Sequence, residues 1–105
     1  MKSFYFCAEK YNLDTKYLEN ICDNIEYMPN LEEFTLKCKN YGMTEDLFII
    51  FITKLLSSNL ISINFEIYKH NNQNMKYFSL DELKKLFPNV KGIENKKISI
   101  LKFNF

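Results

Sequence analysis

A chain of 105 residues, 47% hydrophobic and 26% charged, is long enough for one domain with its own core and too apolar to remain disordered. Its net charge of +1 supplies no broad positive field, which argues against a dedicated binder of nucleic acid or of an anionic membrane. Cys7, Cys22 and Cys38 form no C-x-x-C pair, and an odd number of cysteines fits reduced thiols in the cytoplasm better than a disulfide framework. The apolar patch over 4–8 is too short for a signal-peptide core. The longest apolar run, over 47–52, is far below the ~20 residues that span a bilayer.

The first element is a strand carrying Met1, Phe4 and Phe6. Residues 12–15 then offer a helix N-cap, and Leu18, Ile21, Ile25 and Met28 recur at helical steps on one face before Pro29 stops the helix. A second strand is expected over 31–37. Leu31, Phe34 and Leu36 are its apolar positions, and Glu32, Glu33, Thr35 and Lys37 are the polar alternates. After a turn at Asn40, Tyr41 and Gly42, Thr44 caps a helix whose first turn holds Glu45 and Asp46, where carboxylates oppose the positive end of the helix dipole. That helix, through Leu56, carries more apolar residues than one stripe needs, including Ile49 and Ile50, so it is expected to be covered on several sides.

Leu60, Ile63 and Phe65 restart the pattern 29 residues after Leu31. The polar tract 68–74 lengthens this third unit. Ser79 and Glu82 then form a capping box for a short helix bearing Leu83 and Leu86, which ends near Phe87 and Pro88 with Gly92 in the loop beyond. A last strand over 98–105 places Ile98, Leu101 and Phe103 in the same spacing. The units are therefore 1–30, 31–59 and 60–97, followed by the strand 98–105. They make a single α/β domain.

A strand with L-x-x-L-x-L spacing, a loop and a helix, repeated about every 29 residues, resembles a leucine-rich repeat of the ribonuclease-inhibitor type. The resemblance covers essentially the whole chain as about three degenerate units. It implies a short solenoid with parallel strands on the concave side and helices on the convex side, and a non-enzymatic role in protein–protein binding through the strand-lined face or adjacent loops. The chain departs from the family at the Asn or Cys expected three residues after the last strand leucine, where it has Glu9, Lys39 and Tyr68. Asn40 and Cys38 flank that place in the second unit, which implies a turn that is shifted or carries one extra residue. The rival architecture is a two- or three-layer α/β domain with another strand order.

In the repeat register the outward strand positions fall into rows: Lys2, Glu32, Ile61 and Ser99; Ser3, Glu33, Ser62 and Ile100; Tyr5, Thr35, Asn64 and Lys102; Cys7, Lys37, Glu66 and Asn104. Lys2 beside Glu32 and Lys37 beside Glu66 are expected cross-strand pairs. The candidate partner-binding residues are Tyr5, Glu32, Glu33, Thr35, Lys37, Asn64, Glu66 and Lys102, with Tyr5 as aromatic anchor and the 68–74 loop as a second grip. No catalytic, cofactor or metal site is expected. His70 is the lone histidine, and the two glycines make no phosphate loop. The alternative is a small α/β enzyme or ligand-binding domain with a pocket at the strand ends near Cys7, Cys38 or His70. The terminal strands, above all 98–105, invite self-association or continuation in a longer solenoid.

Overall fold

The computed structural model describes residues 2–68 and 76–103, without the side chains of residues 9–11. Four strands, β1 (Ser3–Asn12), β2 (Glu33–Lys39), β3 (Ser62–Tyr68) and β4 (Lys97–Ile100), form one sheet in the order β1-β2-β3-β4, and every neighbouring pair is parallel. A parallel step needs a crossover, and each here carries one helix: α1 (Thr15–Asn24), α2 (Glu45–Ser57) and α3 (Leu80–Leu86). The sequential order removes the rival in which the strands are rearranged.

Strand alternation sets which side is filled. Phe34, Leu36 and Cys38 of β2 and Ile63, Phe65 and Ile67 of β3 are buried in one cluster with Leu18, Ile21 and Cys22 of α1 and Phe48, Phe51, Ile52 and Leu55 of α2. All three helices therefore cover the same face, since Leu83 of α3 joins that cluster too. A chain of rings runs through this layer. Phe4 stacks on Phe34 at 5.0 Å, Phe34 meets Phe51, Phe51 meets Phe65 at 4.7 Å, and Phe48 contacts Phe65, Phe78 and Phe103. Such pairs contribute about 0.5–1.5 kcal/mol each beyond the area they bury.

The caps follow the local chemistry. Asp14 accepts from the Lys16 N–H at 3.0 Å, Thr44 accepts from Leu47 at 3.1 Å, and Ser79 with Glu82 makes the reciprocal capping box. Boundaries move in three places. α1 ends at Asn24 and gives way to a 3-10 turn, Ile25–Tyr27, well before Pro29. β2 starts at Glu33, so the buried Leu31 precedes the strand. The outer side of α2 is not covered: Ile50 is 50% exposed and Ile49 is exposed as well. That helix contacts α1 and the 3-10 turn on its flank, while its far side meets solvent.

The fourth strand corrects the expected register. Ile63 pairs with Ile98 and Phe65 with Ile100, so β4 enters three positions later in the pattern than the spacing of Ile98, Leu101 and Phe103 implies. Beyond Ile100 the chain meets residues 76–78 running antiparallel. The Phe78 N–H donates to Ile100 O at 2.9 Å, the Lys102 N–H donates to Lys76 O at 2.9 Å, and Tyr77 bridges Leu101. This segment covers part of the outer edge of β4, so the exposed terminal edge expected at 98–105 is partly closed. Asn104 and Phe105 lie outside the described residues.

The open face of the sheet as the candidate functional site

The face opposite the helices carries three rows. Ser3, Glu33, Ser62 and Lys97 form the first; Tyr5, Thr35, Asn64 and Ser99 the second; Cys7, Lys37 and Glu66 the third. The β1–β2–β3 columns stand as expected. The β4 column does not: Lys97 and Ser99 occupy the places expected for Ile100 and Lys102. Ile98 and Ile100, alternating in phase with Ile63 and Phe65, were the signal that could have found them.

Lys102 is accordingly removed from this face's second row. Its ammonium pairs with Glu82 at the start of α3 and lies 5.5 Å from the centre of the Phe78 ring. The Lys102 ammonium, together with the Ser79 N–H, holds the exposed Glu82 carboxyl below its usual range. Lys2 and Glu32 meet through their backbones, the Glu32 N–H donating to Lys2 O at 2.8 Å, and no ion pair joins their side chains.

The third row is the most structured part of the face. Glu66 is only 5% exposed, and its Oε1 accepts from the Tyr68 hydroxyl at 2.8 Å and from the Tyr77 hydroxyl, while Oε2 lies 3.2 Å from Lys37 Nζ. Burial pushes this carboxyl up, but the hydroxyls of Tyr77 and Tyr68 and the Lys37 ammonium outweigh it and hold Glu66 below the ordinary carboxylate value. Only the Lys37 contact was legible beforehand. Tyr68 stands two residues after Glu66 on the same face of β3, a strand spacing that could have marked it, whereas Tyr77 comes from the segment beside β4 and no local spacing marks it.

The second row is open. Tyr5 is 73% exposed, Ser99 is exposed and Thr35 is half-buried. Between Thr35 and Ser99, Asn64 keeps its Oδ1 buried with no hydrogen-bond partner, an uncommon state for a buried acceptor. Glu33 is exposed and accepts from the Ser3 hydroxyl at 3.2 Å; Glu32 is exposed at the lower rim.

The strand-to-helix loops that support this face are tied by Asn40, 1% exposed at the end of β2. Its amide Nδ2 donates to Leu13 O at 2.5 Å and to Thr15 Oγ1 at 3.1 Å, its Oδ1 accepts from the Gly42 N–H at 2.9 Å, and its backbone N–H donates to Tyr68 O at 3.0 Å. One side chain thus satisfies backbone groups of the first and second turns, one residue later than the repeat spacing places it. Lysines do similar work at the other end. Lys54 Nζ reaches Cys22 O at 3.4 Å at the end of α1, and Lys96 Nζ donates to Ser58 O at 2.8 Å and to Leu60 O after α2.

The thiols do not converge. Cys7 is exposed on the open face, whereas Cys38, one row along on the next strand, points into the core, where burial pushes its thiol up to about 12. Burial raises Cys22 as well. Shallow clefts lie along α1, beside the end of α2 and at the lower rim of the strands, and none of these is lined by Cys7 or Cys38. His70 and the loop residues 69–74 lie outside the described residues. Among the described residues no group of three His, Cys, Asp or Glu side chains could hold a metal ion, and no helix is long and apolar enough to cross a membrane. No protein-family model matches this chain, and neither a curated protein nor a solved structure does.

Proposed function

We propose that this chain is a short leucine-rich-repeat-like solenoid that acts without catalysis, as a cytoplasmic interaction module holding a protein partner on the open face of its sheet. The observation that carries this reading is the face itself. The helices all lie on the other side, and the exposed rows present an aromatic side chain, Tyr5, beside hydroxyls and opposite charges, Glu33 and Lys97. Interfaces favour tyrosine anchors in a polar, mixed-charge setting. Asn64 offers an acceptor that an incoming N–H would satisfy.

The repeat part of the reading is supported by three features. Successive strands are added side by side, in a register kept from Ser3 to Ala8 of β1 and along all of β2 and β3, Leu31 and Leu60 are buried at equivalent starts, and Asn40 bonds turn backbone groups as the family's turn asparagine does. Free Cys7, Cys22 and Cys38 agree with a reducing compartment.

The test is a crosslinking capture with three variants. Glu33→Lys and Thr35→Arg alter the open face, and Ile50→Lys alters the exposed side of α2. Loss of the captured partner with the first two and retention with the third supports the reading. The reverse pattern moves the binding surface to the helices and overturns it.

A further inference from the structure

The two edges of the sheet are not alike. The end of the outer edge of β4, at Ile100, is occupied by residues 76–78, but no described backbone group pairs with the outer edge of β1. Head-to-tail growth, in which β4 of one copy would pair with β1 of the next, therefore meets residues 76–78 at the end of β4, and among the described residues β1 offers the longer unpaired edge to a second copy.

The geometry of that edge dictates how two copies would meet. In a parallel ladder the N–H and C=O of alternate residues turn to the same side. The Glu33 N–H donates to Lys2 O at 3.0 Å, so the even residues of β1 face β2, and Ser3, Tyr5 and Cys7 direct their N–H and C=O outward. The regular register ends at Ala8, where the pairing jumps to Asn12. The usable stretch is consequently centred on Tyr5. A twofold axis there sets Tyr5 against itself and Ser3 against Cys7 as hydrogen-bonded antiparallel pairs, roughly six hydrogen bonds in all, with Phe4 opposite Phe6 in the close, non-hydrogen-bonded pairs. This register keeps both helix layers on one side. Moving the axis by half a residue would place core positions opposite the open face.

Side chains along the edge agree. Phe4 and Phe6 are half-buried, though they belong to the core layer, and Tyr17 and Tyr27 are exposed beside them. The shallow cleft of about 380 Å³ bordered by Phe4, Tyr17 and Tyr27 is completed by Asn20, Ile21, Asn24 and Met28 and is lined by no charged residue. A neutral, aromatic strip on a chain that is 26% charged has the composition of an interface core. From these observations we infer that a second copy of this chain pairs with the first across β1, in an antiparallel twofold centred on Tyr5, making one continuous eight-stranded sheet. The inference is independent of what occupies the open face.

Light scattering after size exclusion should give twice the 12.6 kDa of the chain at high concentration. Tyr5→Pro removes an outward N–H that serves no bond within the chain, and it should return the mass to that of a monomer with the circular dichroism unchanged. Ser3→Cys should form a covalent dimer on mild oxidation, because an antiparallel hydrogen-bonded pair sets its Cα atoms about 5.5 Å apart, within disulfide range. Adding Cys7→Ala should abolish that crosslink. A monomer at every concentration, or a dimer that forms no crosslink through Ser3→Cys, overturns the proposal. The crosslink decides alone where Tyr5→Pro fails to fold.

Discussion

Asn40→Ala is the substitution that most directly tests how the turns are held. It removes the donor to Leu13 O, the contact with Thr15 Oγ1 and the acceptor for the Gly42 N–H, but it keeps the backbone bond to Tyr68 O. Leu13 is half-buried, so its carbonyl is left without a partner and carries the penalty of an unmet buried group, about 1–3 kcal/mol. Gly42 is exposed, and water can replace the lost acceptor there, which adds at most about 1 kcal/mol. The expected loss is thus about 1–4 kcal/mol, against the 5–15 kcal/mol typical of a domain. In a chain of this size that corresponds to a fall in Tm of roughly 5–30 °C. Urea and thermal unfolding followed by circular dichroism measure it, with the exposed Asn95→Ala as control. Asn40→Asp keeps the acceptor for Gly42 but sets a carboxylate against Leu13 O, and it should be no better than alanine. A loss under about 1 kcal/mol, or one equal to the control, would refute the role given to this side chain.

The lowered Glu66 carboxyl contributes stability that is complete above the ordinary value of 4.5 and is lost as pH falls through its own lower value. Urea midpoints taken from neutral pH downward should decline in that acid window for the wild type and less steeply for Glu66→Gln. Gly42→Ala places a Cβ 2.7 Å from Thr15 Oγ1 and should cost about 1–3 kcal/mol of overpacking; with Thr15→Ala added, the pair should cost less than the two single losses together. Thiol labelling of the folded chain should modify Cys7 quickly and leave Cys38 and Cys22 protected until unfolding, since both are buried and hard to ionise. Equal labelling of all three would contradict the core assignment.

How legible the fold was depended on how far each feature is set by local pattern. Leu31, Phe34 and Leu36 and then Leu60, Ile63 and Phe65 repeat one alternation with one spacing, and the register of β2 on β3 follows it, so Thr35 meets Asn64 and Lys37 meets Glu66. Thr44 and Ser79 were readable because a cap is a bond within a few residues. The surplus of apolar residues on α2 misled, because Ile49 and Ile50 are left exposed on a side that composition alone could not orient.

The last strand shows where pattern runs out. The segment 98–103 satisfies two phases at once: Ile98 and Ile100 alternate as one strand face, while Ile98, Leu101 and Phe103 match the repeat spacing. The choice between them is made elsewhere. Lys96 reaches back to Ser58 O, the Lys97 N–H donates to Ile61 O, and Ile93 is buried just before the strand, which pins Lys97 beside Ser62. Residues 76–78 then pull Leu101 and Lys102 into antiparallel pairing and end the parallel ladder. Those contacts join positions more than twenty residues apart, so no local periodicity could reveal them. They also give the Glu66 cluster its second tyrosine: the strand that leaves the repeat pattern brings Tyr77 alongside, and the closed edge of the sheet and the buried carboxylate on its open face have a common cause.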